Sequence, residues 1–262
     1  MIAAALVATI AAAFAPPLDR LLSYRVRDVY TGAHPATITT IDRLVFTRAG
    51  QGMIAHLTPL AGTVDGPRQE RDAVSRLLDP LIGIETSVRL DRDGSPREVI
   101  DPGPAWAAFL ASRAALRAKL DADRSLPAAV RAAAHKVLDA ETAPAARDDR
   151  LRHPLLQILP PPLPALAPGE SAGFEAAIAT PRGTLPARGQ VMLLSADART
   201  LRYRITTATA PTTAGSPRFS ETTELSVDRG SGLLIAQHRA RALIAGDGRS
   251  QPIGTQDVTP RP

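Results

Sequence analysis

Ile84-Glu-Thr-Ser-Val-Arg-Leu-Asp-Arg-Asp-Gly-Ser-Pro-Arg-Glu-Val-Ile100 reads as two strands folded back on each other. The runs Ile84–Leu90 and Pro96–Ile100 are rich in β-branched and apolar residues, and Asp93-Gly94 between them is a strong turn signal. Glycine enters the left-handed backbone region without a Cβ clash, which is what a tight hairpin turn asks for. A sheet built from neighbouring antiparallel strands follows from this hairpin.

Upstream the same period of two recurs. Leu22, Tyr24 and Val26 alternate with Ser23, Arg25 and Arg27, as a half-buried strand requires. Residues 37–47 and 53–60 predict a second pair of strands, broken by Gly50 and Gly52. Between this pair and the hairpin, residues 67–79 predict a short helix opened by Pro67, with Val74, Leu77 and Leu78 on one side.

Downstream the period changes. Residues 104–122 predict a helix opened by Pro104, with Trp106, Phe109, Leu110, Leu116 and Leu120 on one broad face. At 100° per residue Arg113 and Arg117 fall inside that arc. They must reach solvent, pair with acids or face a ligand. Trp106, Phe109, Leu110, Arg113 and Arg117 are therefore the candidate ligand-facing residues. A second helix, capped by Ser125 and running to about Ala143, carries Val130, Ala133, Val137 and Ala140 as its apolar stripe. A third covers about 148–159. Pro160-Pro-Pro-Leu-Pro164 then forms a stiff extended connector. Strands return, the clearest at 190–195, 201–209, 219–227 and 233–245, with turns at Asp197–Thr200 and Asp228–Gly232.

Strands, then helices, then strands predict an α+β fold and not βαβ winding. The expected plan is one antiparallel, curved sheet from N- and C-terminal strand sets, spanning 20–258. A helical insertion at 104–158 packs on one of its faces.

Residues 2–15 are apolar and uncharged, the length of a signal-peptide core and short of the roughly 20 residues of a membrane span. Residues 1–15 are thus read as a signal peptide, with Ala11-Ala12-Ala13 and Ala13-Phe14-Ala15 as cleavage sites. Pro16 hinders the latter, so cleavage after Ala13 is preferred. A buried N-terminal helix is the other reading of the segment. The chain has no cysteine, which excludes an acylated-cysteine anchor and thiol redox chemistry within it. The expected location is periplasmic or secreted, in a Gram-negative-type bacterium, with no integral membrane segment after cleavage.

A pI near 10.3 suggests nucleic acid at first sight. Yet the net charge is only +5, acids interleave with bases as in Arg147-Asp148-Asp149-Arg150, and Lys119 and Lys136 are the sole lysines. Charge gathered on one face beside stacking aromatics is missing, so no nucleic-acid partner is expected.

Three motifs hint at chemistry and fail on context. Gly169-Glu-Ser-Ala-Gly173 matches G-x-S-x-G, but a proline-rich connector precedes it and a strand-like run follows, where a nucleophile elbow needs strand before and helix after. Asp91-x-Asp93-Gly94 begins like a calcium loop, but its twelfth position is Pro102 and its glycine comes too early. His34, His56, His135, His153 and His238 are too scattered for a local zinc pair. No catalytic, cofactor-binding or metal set is therefore assigned, and no cofactor is expected.

Ile82–Gly94 with Glu98-Val99, Leu166-Ala-Pro-Gly-Glu-Ser171 and Val227-Asp-Arg-Gly-Ser-Gly-Leu233 together resemble a family of uncharacterised bacterial envelope proteins, domain of unknown function 6263. The resemblance implies export and paired strand sets across a helical middle. It brings no catalytic residues, and this chain lacks the cysteine that many members acylate. In architecture alone the plan is also similar to curved-sheet lipid carriers of the envelope. The expected function is non-enzymatic binding of a lipid, another apolar ligand or an envelope protein. The alternative is a periplasmic hydrolase whose site is assembled from distant residues.

Overall fold

The computed structural model describes residues 12–31, 35–180, 183–210 and 217–261. Most of residues 1–15, read in the sequence as a signal peptide, and His34 lie outside them. The described residues form eleven strands, paired antiparallel, and four α-helices. The α+β class with an antiparallel sheet is therefore observed. The chain divides into two compact units: Pro17–Leu159 with Val258–Pro262, and Met1–Pro16 with Pro160–Asp257.

In the first unit β1 (Leu22–Tyr30), β2 (Ala36–Ala49), β3 (Gly52–Asp65), β4 (Thr86–Leu90) and β5 (Pro96–Ile100) lie side by side in chain order. The Ile84–Ile100 hairpin forms as expected: Gly94 has φ +85°, its N–H donates to the Asp91 carbonyl, and the Ser95 N–H donates to Asp93 Oδ1 at 3.0 Å. Register places Phe46, Ala55, Val88 and Val99 in one cross-strand row, all buried. Helices α1 (Arg68–Leu78), α2 (Gly103–Ala122), α3 (Ala128–Thr142) and α4 (Arg147–Ile158) complete this unit. Helix α4 packs on β5, β4 and β1, and α1 on β3. Leu151 of α4 and Ala105 of α2 close over Val99. No described helix is long and apolar enough to cross a membrane.

Among the described residues, this unit buries one carboxylate. Asp42 is 6% exposed on β2, directly across from buried Tyr24. Burial pushes its pKa up to about 6, against a smaller downward pull from the Thr40 hydroxyl, which donates to Oδ2 at 3.1 Å.

Two expectations for α3 are corrected. Ser125 does not cap it: the helix starts at Ala128, after Pro127, and Ser125 instead donates through its N–H and hydroxyl to Asp123 Oδ1. Proline biases the preceding Leu126 away from helical backbone, so the turn must finish before the helix begins. The stripe Val130, Ala133, Val137, Ala140 faces outward, with Val130 51% and Val137 40% exposed, while Leu138 is the residue α3 buries. The side of α3 that faces α2 is polar. Arg113 Nε donates to Glu141 Oε2 at 2.8 Å, Arg117 pairs with Asp139, and His135 Nε2 lies 3.0 Å from Asp121 Oδ1, so the polar residues of α3 turn toward α2.

In the second unit the strand order is β11-β10-β9-β8-β7-β6: β11 (Ser250–Arg261), β10 (Leu234–Ile244), β9 (Arg218–Asp228), β8 (Thr200–Thr209), β7 (Gly183–Ala196) and β6 (Ser171–Thr180). The β11 residues through Asp257 belong to this unit, and Val258–Pro262 are grouped with the first. The core of the second unit is made of Leu193, Leu201, Tyr203, Leu225, Val227 and Leu234. Its β9–β10 turn is held by Asp228 Oδ1, which accepts from the Ser231 N–H and hydroxyl at 2.7 Å each. The Ala15 N–H donates to the Ser231 carbonyl at 3.0 Å, and Pro16 is buried.

Candidate functional site

The five residues singled out on α2 separate in the structure. Trp106 is half-buried against the Val99–Ala105–Leu151 cluster and stacks on Phe109, ring centroids 5.2 Å apart. Phe109 is buried, and the Arg113 guanidinium lies 4.4 Å above its ring. Arg113 also donates to Ser112 Oγ at 3.3 Å, and Ser112 in turn donates to the Leu77 carbonyl of α1 at 2.7 Å. Leu110 is 37% exposed, and Arg117 stands near the surface beside Asp139. The two arginines thus meet acids of α3. Arg113→Ala is expected to lower unfolding stability by about 1–2 kcal/mol, between the values typical of exposed and buried pairs. Urea denaturation measures this. Unchanged stability would show that the Arg113 contacts do not hold α2 to α3.

Ser171 opens β6 instead of a helix, and its hydroxyl accepts from Gln190 Nε2 at 2.8 Å. His56 has the richest polar surroundings of the described histidines. Its Nε2 lies 2.9 Å from Thr47 Oγ1, and its Nδ1 lies 2.9 Å from both Glu85 Oε1 and Ser87 Oγ. Hydroxyl, imidazole and carboxylate in this order have the form of a relay. However, Ser87 and Glu85 compete for one ring nitrogen, and Glu85 is about half exposed. Neither of the two grooves described next is lined by any of these four residues.

One groove, about 650 Å³, lies among the hairpin-tip residues Ala49–Gly52 and Arg89–Asp93. The other, about 760 Å³, belongs wholly to the second unit and is the candidate site. Strand register builds its floor. Ala172, Val191, Ile205, Thr223 and Arg239 form one row across β6–β10. Phe174, Gly189, Thr207, Glu221 and Arg241 form the next. Tyr203, Leu225 and Gln237 make a third, deeper row. Pro161, Pro162, Leu163 and Pro164 line the groove as well, where proline's fixed φ and missing N–H suit a stretch that joins no ladder. Gly189 is needed for shape: a Cβ there would overlap the Phe174 ring, which lies over it.

Gln237 reaches this surface through a bulge. Leu234 pairs with Val227 and Ala236 with Ser226, so Ile235 is an extra residue and the inward positions shift from even to odd. Gln237 is 4% exposed, and its Nε2 has no hydrogen-bond partner among the described residues. Tyr203, fully buried in the same row, likewise has an unpartnered hydroxyl among those residues, and burial raises its pKa. Arg239 Nε lies 3.5 Å from Glu221 Oε1, and Arg241 Nε donates to Glu221 Oε2 at 3.1 Å. The groove therefore joins apolar walls to a few fixed polar groups, the usual make-up of a small-molecule site. None of the five residues of α2 expected to face a ligand lines it. Among the described residues no group of three or more histidine, aspartate and glutamate side chains could hold a metal.

No protein family matches the chain, and no curated protein matches it. Among solved structures, a lipovitellin structure concerned with lipid–protein interactions is similar over 92% of this chain, at 8% identity and TM-score 0.45. This chain spans a quarter of that one. A Bacteroides fragilis protein, described as exported and of YmcC-like fold, aligns over 96% of this chain and 100% of its own at 8% identity and TM-score 0.27. A porin-like protein from Bacteroides uniformis aligns over 95% and 98% at 9% identity and TM-score 0.21.

Proposed function

We propose that this chain is an exported, non-enzymatic protein of the bacterial envelope, periplasmic or secreted, that binds an apolar ligand in the groove of its second unit. The observation that carries the reading is the groove itself: Val191, Ile205, Leu225, Phe174 and Leu163 line a space of about 760 Å³, within the range of small-ligand pockets. The apolar, uncharged run of residues 2–15, the length of a signal-peptide core, supports the location. On this reading the ligand site moves from the face of α2 to the sheet of the second unit.

Mixing the protein with phenylnaphthylamine, a probe that fluoresces in apolar surroundings, is expected to give a saturable rise in emission. A trace no different from that of a non-binding control protein would count against the groove. Export is tested by N-terminal sequencing of protein from the periplasm or medium. A start at Phe14 is expected, because Pro16 hinders cleavage after Ala15; this start also keeps Ala15, whose N–H donates to the Ser231 carbonyl. Recovery of the intact segment from the cytoplasm would contradict the location.

A further inference from the structure

We propose that the groove is built for a single hydrocarbon chain headed by an acyl carbonyl oxygen, and that Gln237 Nε2 is the donor that receives this oxygen. This rests on the reading of the groove as an apolar-ligand site and adds the polar end of the ligand.

A buried amide donor without a partner is penalised by its lost hydration, and folded proteins leave few such groups. Gln237 is only 4% exposed, lines the groove and leaves Nε2 unpartnered among the described residues. An apolar residue would fill the position without that cost. The bulge at Ile235 is what brings the amide inward, so the donor is a product of the strand's construction. Nε2 is shielded within the groove wall, so the amide turns toward the groove to meet an acceptor; a ligand that supplies one removes the penalty on binding, and a pure hydrocarbon does not.

The neighbours define the rest of the ligand. Leu225 lies directly across from Gln237, and Val191 and Ile205 continue the apolar floor toward Phe174. Glu221 already meets Arg239 and Arg241. The donor at Gln237 is neutral, which suits a carbonyl oxygen whether it belongs to a free fatty acid or to an acyl ester. An apolar tail along the floor and an oxygen at Gln237 satisfy both parts of the site.

The test compares wild type with Gln237→Leu, using phenylnaphthylamine as an apolar probe and laurate and methyl laurate as competitors. The probe is expected to bind both proteins with affinities within about twofold. Both laurate compounds are expected to displace it about tenfold less effectively from Gln237→Leu, the loss typical of one buried hydrogen bond. A loss confined to laurate also supports the donor and assigns the free acid as the source; a loss shared with the ester assigns the acyl carbonyl generally. Equal displacement from both proteins overturns the headgroup assignment while leaving the groove intact. Failure of the probe to bind wild type overturns the underlying reading instead. Gln237→Met serves the same comparison if the leucine variant does not fold.

Discussion

Asp42→Asn is expected to stabilise the protein at neutral pH by about 2 kcal/mol. Asp42 is 6% exposed and its pKa is raised to about 6, so the fold favours the neutral acid. A carboxyl whose folded pKa lies above its unfolded value of 3.8 helps the fold at low pH; that help is lost as pH rises through about 4 to 6, and above 6 the buried charge is a standing penalty. The shift corresponds to about 3 kcal/mol, from roughly 1.4 kcal/mol per pKa unit. Asparagine keeps an acceptor for the Thr40 hydroxyl but adds an amide donor, which reduces the gain to about 2 kcal/mol. Thermal melts should show the variant slightly below wild type near pH 4, where the acid is neutral and only the added donor counts, and exceeding it by about 4–8 °C above pH 6. A variant less stable than wild type at every pH would show that Asp42 is ionised and satisfied in the fold.

The second large effect concerns ligand retention. Ile205 sits in the middle of the row Ala172–Val191–Ile205–Thr223–Arg239 and is half-buried at the groove floor. Ile205→Trp places an indole in the space a ligand would use. Tryptophan is well tolerated in strands, and the side chain can extend over Val191 and Thr223 without leaving the sheet. Affinity for an apolar probe should fall by about tenfold or more while the melting temperature changes little. Substitution of Leu110 on α2, outside this groove, should leave probe binding unaltered.

Much of the fold can be read from residues, for identifiable reasons. The β4–β5 hairpin is legible because Asp93-Gly94 is a local signal, and α2 because Pro104 and its apolar spacing are local too. Strand β11 is hard to see because its inward positions are Gly254, Gln256 and Val258, with Pro252 and Pro260 near its ends. The early half of β7 is hidden likewise, since Gly183, Pro186 and Gly189 read as breakers. The face of α3 is misplaced when hydrophobicity is the guide, because Leu138 is the residue it buries while Glu141 and Asp139 meet Arg113 and Arg117.

The groove is the least legible feature. Its rows exist only once five strands are in register, and register depends on partners far apart in the chain. The bulges beside Ser195 and Ala236 change which residues face inward. Strict alternation through β10 from Leu234 puts His238 inside and Gln237 outside. Gln237, Arg239 and Arg241 share the groove-facing side of β10, a polar run that is legible only after the extra residue is counted.

The most direct test is native mass spectrometry of the protein isolated under mild conditions from an envelope fraction and then offered a lipid extract. Wild type is predicted to carry or take up an apolar adduct in one-to-one ratio, and Ile205→Trp is predicted to carry none. Wild type that arrives bare and takes up no lipid, or an Ile205→Trp variant loaded to the same extent, would contradict the groove as the ligand site.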